Sequence, residues 1–212
     1  MAFIKKSATE IDAVDHEHHR EVKRDFAGLI AELDSDNPTS RRWAVRDLAH
    51  THEACPELVA RLSIESDASV RTAILSALAH LGGEIAISGV VNCLRSEDAA
   101  LRNEAIEVLK EVPNEVESII ESLLNDADSD VRIFTVNILE SLRHSNVEKW
   151  LISVIEKDPH INVCATALDL LSEVGSEQAI PAIKELKNRF AEEPYICFSA
   201  DLTLKRIEEG VQ

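Results

Sequence analysis

The densest group of side chains able to hold a metal ion in this chain is Asp15-His16-Glu17-His18-His19. On a helix Asp12, His16 and His19 fall at i, i+4 and i+7 on one face, and imidazole with carboxylate suits zinc or iron. His18, however, falls in line with Val22. The same residues therefore also read as the polar start of an amphipathic helix, and no metal is expected there. A second unusual pair is Cys164 and Cys197, neither part of a CxxC motif. No nucleophile–base pair, Gly-rich phosphate loop or Cys/His zinc spacing stands out, so neither catalytic residues nor a cofactor are expected.

What positions these side chains is a repeat. Asp67-Ala-Ser-Val70-Arg71 recurs as Asp98-Ala-Ala-Leu101-Arg102 and as Asp128-Ser-Asp-Val131-Arg132. Downstream of the first Arg come Ile74, Leu78 and Leu81, and of the second Ala105, Leu109 and Val112, at +3, +7 and +10. That spacing marks an amphipathic helix. The Arg register extends to Arg41 upstream and to Cys164 and Cys197 downstream, giving intervals of 30, 31, 30, 32 and 33 residues. Self-similarity at this period indicates a solenoid. Equivalent positions of stacked helices lie about 10 Å apart, whereas a disulfide needs Cα atoms within about 7 Å. Cys164 and Cys197 are therefore expected to be unbridged, small packing residues.

A second helix is predicted after each first one, near Pro56–Leu62, Glu84–Leu94, Asn114–Leu124, Val147–Ile155 and Glu177–Leu186. Gly82-Gly83, Pro113-Asn114, Ser145-Asn146 and Gly175-Ser176 separate the partners, and glycine just past a helix end takes a positive φ at low cost. The N-terminal stretch differs. Ser7-Ala-Thr-Glu10 has the form of a capping box, and Val22, Phe26, Leu29, Ile30 and Leu33 make one apolar stripe. The expectation is an all-α protein. Residues 1–34 form a cap, and 35–212 a continuous α-solenoid of five to six helix-turn-helix repeats.

Composition agrees. Apolar residues make up 45% and aromatics only 4%, so the core must rest on Ala, Leu, Ile and Val. No stretch reaches the roughly 18 apolar residues that span a bilayer, and no apolar h-region follows Lys5 and Lys6. A cytoplasmic location with reduced thiols follows as an expectation. The net charge is −17, and the chain after Ser63 holds 13 basic against 27 acidic residues. Such a field repels phosphate and anionic membranes, so neither nucleic acid nor membrane insertion is expected.

The motif Asp-x-x-Val/Leu-Arg-x-x-Ala/Ile-x-x-x-Leu, from about Asn37 to Ile207, resembles HEAT repeats, most closely the short type found in phycobilisome lyases. The resemblance implies a ladder in which Asp67, Asp98, Asp128, Arg71, Arg102 and Arg132 are structural. The chemistry agrees, since Asp caps a helix start and a guanidinium bonds loop carbonyls or carboxylates. HEAT-like deoxyhypusine hydroxylases place His-Glu pairs directly after the repeat Arg. Here His16-Glu17 and His52-Glu53 lie outside that register. HEAT-like DNA glycosylases would need a basic groove, which this chain lacks.

In such solenoids the second helices line the concave side. Aligning them on Leu62, Cys93, Leu123, Val154 and Leu186 places Val91, Glu121, Ile152 and Lys184 two residues before the core position, and Arg95 two after. Val91 and Ile152 are apolar where a purely solvated face would be polar, which marks them as exposed contact anchors. The reading is a protein-binding adaptor or regulatory scaffold. Its alternatives are a bilin lyase-like factor and, more remotely, a metal-dependent enzyme.

Overall fold

The structure, a computed structural model, describes residues 25–142 and 144–210. The cluster from Asp12 to His19, the capping box and Val22 lie outside them. Among the described residues there are thirteen α-helices and no strand.

The first helices of successive repeats are α2 (Pro38–Leu48), α4 (Ala68–Leu81), α6 (Ala99–Glu111), α9 (Ser129–Leu139), α11 (Ile161–Val174) and α13 (Pro194–Gly210). Between them run the second helices α3 (Cys55–Leu62), α5 (Gly83–Asn92), α7 (Pro113–Glu117) with α8 (Ile120–Leu124), α10 (Val147–Lys157) and α12 (Ile180–Arg189). A short helix α1 (Phe26–Glu32) precedes α2 and packs on it. Each first helix packs on the next first helix, and among the second helices α3 packs on α5, α5 on α7 and α10 on α12. The result is a two-layer solenoid.

Local chemistry sets the boundaries. The side chains of Asn37, Asp67, Asp98 and Asp128 accept backbone N–H groups of the first turn of α2, α4, α6 and α9, satisfying donors that have no partner within the helix. Pro38, Pro56 and Pro181 lie in first turns, where their missing N–H costs nothing. Gly82 ends α4 with φ 62, a left-handed value that a side chain would strain.

One hydrophobic cluster runs from Leu29 to Ile207. Its spine is the Arg+7 leucine: Leu48, Leu78, Leu109, Leu139 and Leu171 are all fully buried. At Arg+3 the residues Ala44, Ile74, Ala105, Ala167 and Ala200 are buried too. Thr135 takes this place in the fourth repeat, and its hydroxyl donates to the Val131 carbonyl at 2.7 Å, so it is buried at no polar cost. Between α3 and α5 the layers come close. A Cβ on Gly89 would lie 2.4 Å from Cγ2 of Val59.

The second helix expected over Asn114–Leu124 is broken. The Ser118 hydroxyl bonds the Glu115 carbonyl, and the Ile119 N–H turns to Val116, three residues back. A side chain thus competes with the helical ladder, and α8 starts afresh at Ile120.

Candidate protein-binding surface

Two residues before each helix cap stands a side chain that accepts the cap residue's own N–H: Ser35 for Asn37, Glu65 for Asp67, Ser96 for Asp98, Asp126 for Asp128 and Asp158 for His160. Arg41, Arg102 and Arg132 each donate through Nη1 to the backbone carbonyl of that preceding residue, at 2.7, 2.6 and 2.8 Å. Where the next repeat offers Glu65 or Asp158 at this place, the guanidinium grips it with two bonds, whereas Asp126, at the same place after Arg102, pairs with Arg95. Arg41 holds Glu65 at 2.8 and 2.7 Å, and Arg132 holds Asp158 at 2.7 and 3.0 Å. Glu65 also accepts from Arg61 at 2.9 Å. Burial pushes the Glu65 carboxyl up, but the bonds from Arg41, the Asp67 N–H and Arg61 outweigh it and hold the group at about 2.

The ladder is uneven. Arg71 reaches the cap residue Asp98 at 2.8 Å, and its Nε is buried without a partner. Arg102 has no bond to Asp128. Its guanidinium makes one bond to the Ser96 carbonyl and lies 5.9 Å from the Phe134 ring centre. Asp67, Asp98 and Asp128 act on their own helices as caps, and the paired carboxylates of Arg41 and Arg132 are Glu65 and Asp158, absent from the sequence-level ladder.

In the fifth repeat Cys164 replaces the Arg, and its thiol donates to the Asp158 carbonyl at 3.3 Å, the same carbonyl by register. A guanidinium still arrives, from the next second helix. Arg189 on α12 donates to the carbonyls of Glu156, Ile155 and Asp158 at 2.6, 2.8 and 3.1 Å and to Cys164 Sγ at 3.3 Å. Burial pushes the Cys164 thiol up, and nearby Arg189 offsets this only in part. Cys197 Sγ lies 3.7 Å from the Phe190 and Ala191 carbonyls. All four cysteines are free, and burial pushes Cys93 up to about 11.

The second-helix face carries two adjoining clefts at the centre of the array. One, of about 570 Å3, lies between α5 and α7–α8, with Ile87, Val91, Ile119 and Leu123 below and Glu84, Glu115 and Arg95 above. The other, of about 500 Å3, lies between α8 and α10, bordered by Glu121, Trp150 and Lys157. Asp126 lines both and pairs with Arg95. Trp150 stacks on His144, ring centres 5.2 Å apart, and its Nε1–H points at Glu121 Oε1 at 3.4 Å.

This geometry corrects one expectation. Val91 is not an exposed anchor. It is 9% exposed and belongs to the core, at the bottom of the cleft between α5 and α7–α8. Ile152 is half-buried against the core, and Arg95, Glu121 and Lys184 are exposed. Val91, Arg95 and Glu121 border the two clefts; Ile152 and Lys184 do not line them.

The profile of the HEAT repeats matches residues 26–110 and 116–192. The chain belongs to the HEAT-repeat family. Among solved structures, the archaeal HEAT-like repeats protein from Thermococcus onnurineus NA1 is similar at 20% identity. Its TM-score is 0.47, over 95% of this chain and 94% of that one. The complex of CpcE and CpcF of phycocyanin lyase from Nostoc sp. PCC7120 is similar at 18% identity, with a TM-score of 0.38 over 89% and 95%. A designed armadillo repeat protein is similar at 16% identity, with a TM-score of 0.37 over 86% and 100%. These are likenesses of helical-repeat architecture and bear on no function. Among curated protein sequences none matches.

Two further features of this HEAT array lie outside the sequence-level site residues. His50 Nδ1 and His80 Nε2 face each other at 3.2 Å, at Arg+9 of adjacent repeats. His52-Glu53 sits in an exposed 3-10 turn before α3. No described helix is long and apolar enough to cross a membrane.

Proposed function

We propose that this HEAT array is a protein-binding adaptor that acts by holding a partner segment on its second-helix face. The observation that carries this reading is the pair of adjoining central clefts. An apolar floor of Ile87, Ile119 and Leu123 lies beneath a polar rim with Glu84, Glu115 and Glu121, the arrangement of an apolar centre and charged border that suits a docked helix or extended segment. The clefts lie between elements held by a continuous core, so the surface is presented rigidly. Of the residues singled out from sequence, Arg95 and Glu121 are contact candidates, Val91 supports the floor, and Ile152 and Lys184 lie outside the clefts. Neither bilin handling nor metal-dependent chemistry gains support from this geometry. The charge of −17 argues against nucleic acid as the partner.

The test is capture of the partner from the native cell, identification by mass spectrometry, and affinity measurement with the purified pair. Changing Ser122→Arg and Glu121→Lys, both exposed, is expected to weaken binding at least about tenfold, roughly 1.4 kcal/mol, with unchanged helix content and melting. Unchanged affinity in that folded variant contradicts the reading. A gel shift at low salt is expected to show no saturable nucleic-acid complex.

A further inference from the structure

The most exposed aromatic side chain in the described residues is Phe198, at 66%, and it is not isolated. Tyr195 and Leu202 on the same helix, α13, are 58% and 40% exposed. Positions 195, 198 and 202 fall at i, i+3 and i+7, so they form one stripe along α13. Their registers are Arg−2, Arg+1 and Arg+5, counted from Cys197. At the first and last of these registers other first helices carry Ser69 and Ser76, Ala100 and Glu107, and Asn162 and Asp169, all exposed. Of the four interior repeats three leave both registers in water with a neighbour stacked on each side, and the fourth exposes Asp130 but half-buries Asn137. Packing against another repeat does not account for Tyr195 and Leu202; the Phe198 register is exposed at Thr72 and Asn103 but half-buried at Ile133 and buried at Ala165.

The surroundings of the stripe are acidic. The Tyr195 hydroxyl reaches Asp169 on α11 at 3.5 Å. Asp169 also lines an outer hollow of about 210 Å3 between α9 and α11, together with Glu140 and Glu173. Two of the nearby lysines are paired with carboxylates, Lys187 with Asp201 and Lys205 with Glu209, and Arg206 bonds the neutral hydroxyl of Ser172 and keeps its charge. Glu192 and Glu193 stand just before the helix and are exposed. Apolar side chains within a negative field select a ligand with the complementary pattern. Aromatic residues in such patches are the ones that carry binding energy. A second copy of this chain would bring a like charge of −17 and is disfavoured at low ionic strength.

We infer that the outer face of α11 and α13 is a second docking site, whose ligand is a basic amphipathic helix of another protein. Its apolar side lies on Tyr195, Phe198 and Leu202, and its lysines or arginines meet Asp169, Glu173 and Glu140. This site is on the first-helix layer and is independent of the central clefts, so a protein whose clefts hold nothing keeps it.

The test uses the full chain and a fluorescein-labelled peptide of leucine and lysine at helical spacing, about 18 residues or five turns. A shuffled peptide of the same composition serves as control, read by fluorescence anisotropy. The amphipathic peptide is expected to bind saturably and the shuffled one more weakly. The triple change Tyr195→Ser, Phe198→Ser, Leu202→Ser is expected to weaken the amphipathic peptide at least about tenfold. Asp169→Lys with Glu173→Lys is expected to weaken it and to flatten its salt dependence, while Glu121→Lys in the clefts leaves it unchanged. Should the triple variant lose its helical circular dichroism, Phe198→Ser alone replaces it. Equal binding to the wild type and the folded stripe variant overturns the inference. So does sedimentation showing a wild-type dimer that the stripe variant dissolves, since the occupant is then a second copy.

Discussion

The first and fifth repeats solve one problem in two ways. In both, a carbonyl two residues before the helix cap needs a buried donor. In the first, Arg41 supplies it from the helix itself and then grips the carboxylate of Glu65, leaving that acid 6% exposed. In the fifth, the register residue is Cys164. Its thiol reaches the carbonyl of Asp158, and the guanidinium comes from Arg189, on the next second helix. The difference teaches that in the first, third, fourth and fifth repeats a donor reaches the same place in space from different residues, while in the second Arg71 turns to Asp98 instead. It also separates a charged, paired junction from one built on neutral carbonyls.

Breaking the charged junction should have the larger effect. Glu65→Ala leaves the guanidinium of Arg41 buried without its carboxylate, and the expected loss is about 3–5 kcal/mol in thermal or denaturant unfolding. A milder way to break it is acid. The folded Glu65 carboxyl is held at about 2, below its ordinary 4.5. Its contribution is therefore complete above pH 4.5 and is lost as pH falls from there toward 2. On the order of 1–3 kcal/mol should disappear over that window. Glu65→Gln should remove this part of the acid sensitivity when unfolding is followed between those pH values.

The neutral junction should give less. Arg189→Ala frees three carbonyls that are near the surface, and the expected cost is about 1–2 kcal/mol. Adding Cys164→Arg to that variant returns a guanidinium from the register position. A double-mutant cycle should then show a favourable coupling of about 0.5–2 kcal/mol, and none would mean that the two side chains do not share the role. Arg102→Ala removes one carbonyl bond and the contact with Phe134, so its cost in melting should be about 1 kcal/mol, below that of Arg41→Ala.

Much of this architecture is legible in the residues. Asp67, Asp98 and Asp128 announce helix starts because a carboxylate at a cap has a local job, and the leucine at Arg+7 announces the buried stripe. What escaped depends on geometry between repeats. Glu65 and Asp158 share their place with Ser35, Ser96 and Asp126, so no constant residue type marks it. Arg189 lies outside the Arg register altogether. The break at Ser118–Ile119 turns on one hydroxyl bond. Val91 falls on the surface side by helical phase, yet it is buried at the bottom of a cleft, since period alone does not say how closely neighbouring second helices pack. The stripe of Tyr195, Phe198 and Leu202 is spelled out in sequence, but it gains meaning only once the registers of Tyr195 and Leu202 are seen to face water in most other repeats.

The Asp/Arg motif is assigned to building the array, and the proposed binding surface to the second helices. The most direct measurement compares Arg41→Ala with the Glu121→Lys, Ser122→Arg variant, each assayed for melting and for affinity to the captured partner, well below either melting point. Arg41→Ala is expected to melt lower yet bind within about twofold of wild type, while the cleft variant is expected to melt like wild type and bind at least about tenfold more weakly. A folded Arg41→Ala protein that fails to bind, beside a cleft variant that binds normally, would contradict that assignment.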